Sequence, residues 1–250
     1  MKKTMLLLLF TTLAYGSVHA QDDDEYKEAS KESQAYHKYR LVSTKPPFGL
    51  QKVNALCAQI KEVDGDDGLD GTAILDPKKY MALSFREKFT YHMVHPESYS
   101  QNCDAMPPIQ DEQKKIFGQL PDAFSEKNWS DRQEKFFTDH RDSVIALMQY
   151  CITKDKRVGL NFKHAIVDIN AKEMIPFLIS MYNEQKKDHD ILTVLMLLMK
   201  NNAYQPFMVS ASNKKLYADQ EASYKSYLNF NVENEALIIK RALDFYRGGK

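Results

Sequence analysis

The stretch from Asp142 to Ser210 constrains the fold most, because an apolar pattern with a fixed spacing recurs along it. Three apolar segments follow one another at equal intervals, marked by Ala146, Pro176 and Pro206. A charged turn follows each of the first two segments, and a second apolar run follows each turn. A fixed period that contains two helices is typical of a helical repeat array. The pattern predicts a short α-solenoid, with an ordinary helical bundle as the alternative.

One segment within this stretch, Ile191 to Met199, is apolar almost all round. A helix of that kind lies either between neighbouring helices or in a membrane. The run is about half the length of the roughly 20 residues that a membrane-spanning helix needs. We therefore expect a central buried helix, which Asp188 or Asp190 can cap at its start.

The same stretch resembles HEAT-like α-helical repeats. The resemblance is carried by Ile-Pro-Phe-Leu at 175–178, by the turn that ends at 188–190, and by the apolar helix at 191–198. It implies pairs of helices stacked side by side. The arginine that often begins the second HEAT helix has an analogue in Arg157, whereas Asp190 occupies that place in the next unit.

The first 20 residues resemble a targeting segment rather than part of the fold. Lys2 and Lys3 precede a short apolar core, and small residues end at Ala20. These are the marks of a cleaved secretory signal peptide, and the compact, lysine-rich form is typical of bacteria. We expect a soluble mature chain from Gln21, exported to the periplasm, with secretion beyond the outer membrane as the alternative.

Composition favours helices and argues against general attraction to nucleic acid. The chain has only nine glycines, and its 34 basic residues balance its 34 acidic ones. A neutral chain lacks the basic excess of proteins that bind nucleic acid or anionic lipid through charge. We expect an all-α protein: 21–45 as a flexible lead-in with a possible short helix, and 46–250 as one α-helical domain with 142–250 repeat-like. After signal cleavage we expect no membrane insertion.

Two further segments predict helices whose ends the sequence locates incompletely. Asp76 and Pro77 suit the start of a helix, which the apolar spacing continues to about Met93. Ser130 and Gln133 form a capping box. From there the apolar stripe fits either one helix from Asp131 to Ile152 or two helices with a break near 139–142.

The polar loop that follows Met93 is the first place to look for a ligand site, since loops carry much of protein function. Two histidines three residues apart can share a helix face, and a nearby glutamate could join them at a metal. Cys103 could serve as a nucleophile only if a base lies beside it. A structural or surface role is the alternative for all of them. The candidate binding residues are His92, His95, Glu97, Tyr99, Asn102 and Asp104.

The acidic, glycine-rich run from Asp64 to Gly71 suggests calcium, but neither EF-hand register places a glutamate at position 12. A solvated turn is therefore expected there. Of the three cysteines at most two can pair within the chain. The sequence also lacks a phosphate-binding glycine loop, Gly-x-Ser-x-Gly and Cys-x-x-Cys.

These observations favour a non-enzymatic protein-interaction or scaffold module of the cell envelope. We assign no catalytic residue, no metal ligand and no cofactor, and the expected partner is another protein whose identity the sequence does not give. The alternative is a metal-dependent hydrolase that uses the loop from His92 to Asp104.

Overall fold

The computed structural model describes residues 28–65, 69–104, 106–219 and 223–248. The predicted signal peptide and the start of the lead-in lie outside these residues, as does the centre of the acidic run at 66–68. Within these ranges the chain is mostly helical. The helices are α1 (Lys31–Arg40), α2 (Leu50–Cys57), α3 (Pro77–Met81), α4 (Phe85–Val94), α5 (Asp131–Asp139), α6 (Arg141–Asp155), α7 (Leu160–Asp168), α8 (Ile175–Gln185), α9 (Asp190–Asn201), α10 (Gln205–Met208), α11 (Ala211–Tyr217) and α12 (Val232–Gly248).

The expectation of an all-α protein is wrong in one respect, because short strands pair into two antiparallel sheets. One sheet has the order β1-β2-β3-β5 and the other joins β4 to β6. Half of the strand residues are exposed and only three are buried, so the strands carry no alternation of apolar and polar residues that would predict them. The strands are β1 (Val63–Asp64), β2 (Asp70–Thr72), β3 (Ser98–Ser100), β4 (Lys115–Phe117), β5 (Lys127–Asn128) and β6 (Tyr227–Asn229).

Helix α9 is the centre of the main core, as predicted. Every side chain from Asp190 to Met199 is buried. The helix packs against α7, α8, α10, α12 and β4, and the Thr193 hydroxyl donates a 2.8 Å hydrogen bond to the Phe117 carbonyl. Asp190 does not cap the helix, since its carboxylate is directed to buried cations.

The described residues give no evidence of a repeat array. Pro176 and Pro206 both lie near a helix start, but Ala146 lies inside α6, and α10 spans only Gln205–Met208. The three apolar segments therefore lie at different places in helices of different length.

Two stretches with helical apolar spacing each form two helices. The helix predicted from Pro77 to Met93 is two helices, because Ser84 begins α4 with a capping box in which its amide donates to Glu87 at 2.8 Å. The apolar stripe from Asp131 to Ile152 breaks at His140, between α5 and α6. Among the described residues, no helix is both long enough and apolar enough to cross a membrane.

A buried ionic network joins α1 to the core. The Arg40 guanidinium donates from Nε to Asp190 at 2.9 Å and from Nη1 to Glu112 at 2.6 Å. The Lys163 ammonium donates to Asp188 at 2.7 Å and to Asp190 at 3.3 Å. All five side chains are buried. Residues 31–40 are thus held by the core, although the sequence placed them in a lead-in.

Candidate functional site

The six residues singled out from the sequence do not converge on one site. His92 is fully buried, and both of its ring nitrogens are engaged. Its Nδ1 accepts from the Gln133 amide at 3.0 Å, so Nε2 carries the proton and donates to the Tyr80 hydroxyl at 3.0 Å. Burial, with Arg132 and Lys88 nearby, lowers the pKa of His92 to about 3. A metal ion could bind this histidine only by breaking one of these hydrogen bonds.

Glu97 is the acceptor at the centre of a second buried group. Its carboxylate accepts from the Tyr91 hydroxyl and from the Ser130 hydroxyl, each at 2.6 Å. Arg132 also pairs with this carboxylate. Since both oxygens are taken up by protein donors, Glu97 braces α4 against α5 rather than facing a ligand.

The other four candidates are spread over the surface of this region. The His95 Nε2 lies 2.6 Å from the Ala73 carbonyl, and Tyr99 lies in β3 opposite Gly71 and Lys127. The Asn102 side chain accepts from the Asp104 amide at 3.0 Å.

Gln133 brings three of the six candidates together. It donates to His92 and to the His95 carbonyl, and it accepts from the Glu97 amide. No group of three or more His, Cys, Asp or Glu side chains in the described ranges is arranged to hold a metal ion. The cysteines are free thiols there: Cys103 is exposed, Cys57 half-buried and Cys151 buried.

A cavity of about 390 Å³, lined by charged as well as apolar side chains, lies beside this network, and it is the better candidate site. We call it the His164 pocket. Its walls come from the loop before α2, the end of α4, the segment before α5, α5 itself, and α7. The charged and aromatic residues of its lining are Lys45, Asp122, Lys127, Trp129, Glu134, His164 and Asp168.

An acid–base pair stands in this pocket. The His164 Nε2 lies 2.5 Å from an Asp122 carboxylate oxygen, and both side chains keep some contact with solvent. Burial alone lowers the pKa of His164, but the hydrogen bond and the charge of Asp122 outweigh it and raise that pKa above its ordinary value. The imidazolium form is therefore favoured, and it can donate a proton.

Asp168 lies one helical turn after His164 on α7 and shares the same corner. Burial raises the pKa of its carboxyl, and the charges of Glu134 and Asp122 raise it further, while His164 acts in the opposite direction. Three carboxyl groups, those of Asp122, Glu134 and Asp168, thus line the same pocket as the His164 imidazole. Such perturbed groups in a cleft are typical of functional sites.

Trp129 gives the pocket its aromatic wall. Its indole N–H donates to the His92 carbonyl at 2.9 Å, and its ring packs edge-on against Phe137. These contacts fix the ring at the side of the cavity. The sequence did not reveal this site, because Asp122 and His164 are far apart in the chain and neither belongs to a motif. No family model, curated protein or solved structure matches the chain.

Proposed function

We propose that this chain is an exported, non-enzymatic binding module that receives a basic side chain of a protein partner in the His164 pocket. The observation that carries the proposal is that three carboxyl groups, those of Asp122, Glu134 and Asp168, line the pocket together with the His164 imidazole. A lysine or arginine from a partner would supply the missing positive charge. Trp129 would pack against its aliphatic part.

The rest of the pocket supports a peptide more than an isolated cation. Lys45 and Lys127 also line it. These lysines could meet a carboxylate or carbonyls of the same partner. Complementary charges of this kind select the partner and its orientation.

Binding can be followed without a label, because Trp129 is the sole tryptophan of the chain. We would titrate the full chain with capped tripeptides Gly-X-Gly in which X is Arg, Lys, Gln or Glu, and record tryptophan emission. The Arg and Lys peptides should give saturable changes, and the Gln and Glu peptides should bind at least about tenfold more weakly, as expected for loss of a charged hydrogen bond.

The variant Asp168→Asn should abolish the preference for basic peptides. Asp142→Asn, which removes a solvent-exposed carboxylate on α6, is the matched control and should keep it. Affinity for the Arg peptide should also rise as pH increases through the raised pKa of Asp168, because the cation binds the ionised carboxylate. Equal affinity for all four peptides would contradict the proposal.

A second function, hydrolysis by acid–base catalysis, is favoured by one observation: the hydrogen-bonded pair of Asp122 and His164 in an open cleft. An imidazolium with a raised pKa can protonate a leaving group, and a neighbouring carboxylate can activate water. A screen of chromogenic ester, phosphoester and glycoside substrates tests this idea. Activity that His164→Gln removes and His140→Gln retains would support hydrolysis over simple binding.

The metal-dependent hydrolase that would use His92 to Asp104 gains no comparable support, because the polar atoms of His92 and Glu97 are already hydrogen-bonded to other protein groups. The helical-repeat interpretation of residues 142–210 likewise stays a hypothesis that sequence spacing alone supports.

Export also belongs to the proposal, and it rests on the pattern of residues 1–20. The mature protein should begin at Gln21 and be soluble, in the periplasm or outside the cell. Mass spectrometry of protein from the native host decides this, and a mass that includes residues 1–20 would reject it.

A further inference from the structure

A second cavity, of about 410 Å³, lies beside α1 and shares no lining residue with the His164 pocket. We call it the His37 pocket. A volume of this size falls within the range of small-molecule sites. Its walls are largely aromatic, and Phe124 meets Tyr224 edge-on with ring centroids 4.8 Å apart. The apolar part of the lining consists of Met106, Pro107, Ile109, Phe117, Phe124 and Tyr224.

The imidazole of His37 lines this cavity and is held in one orientation by Glu112. Its Nδ1 lies 2.9 and 3.0 Å from the two Glu112 oxygens. Burial opposes ionisation of Glu112, but the hydrogen bonds from His37 and Arg40 outweigh it and hold the pKa of this carboxyl below its ordinary value. An ionised carboxylate can only accept, so Nδ1 carries a proton and donates it to Glu112. The nitrogen that remains for another partner is Nε2.

Nε2 of His37 is the polar group that the cavity offers to a ligand. No group among the described residues hydrogen-bonds to it, and the side chain keeps 12% of its surface exposed. Arg40 cannot take this role, because its guanidinium is buried against Asp190 and Glu112. Nε2 accepts a hydrogen bond when the ring is neutral and donates one when the ring is protonated. A hydroxyl group can donate or accept, so it suits the ring in either state.

The charges of the lining balance, which favours a neutral ligand. Arg40 and Lys225 are cations, and Asp104 and Glu112 are carboxylates. Arg40 and Glu112 are buried and pair with each other at 2.6 Å. Lys225 and Asp104 are both exposed, so solvent and salt screen their charges. A charged group on a ligand would be attracted by one of these two side chains and repelled by the other.

We propose that the His37 pocket binds a neutral phenolic molecule whose hydroxyl group hydrogen-bonds to Nε2 of His37. The aromatic body of the ligand contacts Met106, Ile109 and Phe124. The proposal does not depend on the function assigned to the His164 pocket.

The probe for the test is 2-naphthol, titrated by isothermal calorimetry at about pH 8, where an ordinary imidazole is neutral. One molecule should bind per chain. Its methyl ether, 2-methoxynaphthalene, keeps the apolar body but has no proton to donate to Nε2. The ether should bind about five- to tenfold more weakly, as expected for the loss of one hydrogen bond. The acid 6-hydroxy-2-naphthoate, which adds a negative charge, should bind no more tightly than 2-naphthol.

Replacing the imidazole tests the same hydrogen bond from the side of the protein. His37→Phe keeps an aromatic ring and removes Nε2. It should lower affinity for 2-naphthol about five- to tenfold and change affinity for the methyl ether by less than about twofold, because only the naphthol uses the nitrogen. His140→Phe, at an exposed histidine, is the matched control and should change neither affinity.

Filling the cavity tests its location. Met106→Trp and, independently, Ile109→Trp should each lower affinity for both naphthalenes by about tenfold or more, because the larger side chain occupies the apolar space. Met81→Trp is the matched control, since Met81 is 70% exposed and lines neither pocket. Asp168→Asn should also leave binding unchanged, which separates this site from the His164 pocket.

Circular dichroism establishes that each variant is folded before binding is compared. The proposal is overturned if 2-naphthol does not bind saturably to the wild-type chain, or if both folded cavity-filling variants bind it as tightly as wild type does. Tighter binding of the naphthoate would overturn the preference for a neutral ligand. Equal affinity of the wild-type chain for 2-naphthol and its methyl ether, or an equal loss for both ligands in His37→Phe, would overturn the role given to His37.

Discussion

The side-chain amide of Gln133 fixes the protonation state of His92. It is a main reason why the candidate residues at 92–104 do not form a ligand site. The Gln133 oxygen accepts from the amides of Glu97 and Ser130, at 2.9 and 3.2 Å. Its nitrogen must therefore be the group that faces His92. The ring nitrogen opposite it can only accept, so the imidazole is held neutral. A histidine held in this way supports the packing of α4 on α5.

The buried neutral His92 predicts a loss of stability in acid. Its pKa is about 3 in the folded protein and about 6.5 when unfolded. Between these values the unfolded chain binds a proton that the folded chain does not, so stability falls as pH decreases from about 6.5. The slope is at most about 1.4 kcal/mol per pH unit, or about 3 kcal/mol between pH 7 and 4.5.

Urea denaturation at about pH 7 and about pH 4.5 measures this change in unfolding free energy. His92→Gln should be less stable than wild type at pH 7, yet lose less stability on acidification. His140→Gln, at an exposed histidine, should follow the wild-type curve. An acid slope that is the same in wild type and His92→Gln would show that other groups cause it.

The second residue-scale prediction concerns His164. Asp122 raises its pKa against the effect of burial, so Asp122→Asn should lower that pKa, while Asp139→Asn on α5 should not. Two-dimensional NMR of the imidazole carbons during a pH titration gives the value directly. The raised pKa stabilises the folded chain below about pH 6.5, and this contribution disappears as pH rises through the folded value. A pKa unchanged by Asp122→Asn would contradict the pairing.

At the scale of elements, helix α9 is the part of the structure that sequence predicts best. An unbroken apolar run requires burial on all sides, whichever segments of the chain pack against it. Leu195 has no exposed surface, whereas Leu237 on α12 is 38% exposed. Leu195→Ala should therefore cost about 2–5 kcal/mol of unfolding free energy, and Leu237→Ala should cost within about 1 kcal/mol.

Equilibrium denaturation of the two alanine variants compares equal chemical changes at two depths. Coincident unfolding curves by fluorescence and circular dichroism are required for the comparison, because the free energies assume two states. Equal costs for Leu195→Ala and Leu237→Ala would mean that α9 is not the centre of the core.

The elements that the sequence did not reveal share a physical cause: their interactions are made by the backbone or by distant partners. Residues of β2 and β3 pair through their backbones, so their side chains carry no signal of pairing. Asp188 and Asp190 were expected to act as helix caps, because an acidic residue before an apolar run suits that position. Their actual partners, Lys163 and Arg40, are 25 and 150 positions away. Spacing along one helix cannot reveal such contacts.

The same limit explains why the sequence did not reveal the cavities. The polar loop at 92–104 drew attention because its histidines and glutamate lie close together in sequence. The His164 pocket instead lies between α7 and the segment before α5, and the His37 pocket, beside Arg40, lies between α1 and residues that follow position 103. Cavities between distant segments depend on the packing of the whole chain.

At the scale of the whole molecule, the buried ionic network links segments that are far apart in sequence. Arg40 on α1 reaches Glu112, which precedes β4, and also Asp190 at the start of α9. Asp190 in turn is shared with Lys163 on α7. A substitution at one position in such a network should therefore also destabilise helices that the substituted residue does not contact.

Arg40→Met keeps much of the apolar part of the side chain and removes its charge. It removes one of the partners of Glu112, which keeps its contact with His37, and it leaves Asp190 with Lys163 alone. Removing one member of a buried ion pair typically costs about 3–5 kcal/mol, so the variant should lose a large share of the roughly 5–15 kcal/mol that stabilises a domain. Lys38→Met, at an exposed position of the same helix, should cost little.

Hydrogen exchange measured by mass spectrometry locates the effect: Arg40→Met should speed exchange in α1 and also at the start of α9, because Asp190 has lost a partner there. Faster exchange confined to α1 would show that the network only tethers the first helix and does not couple it to the core.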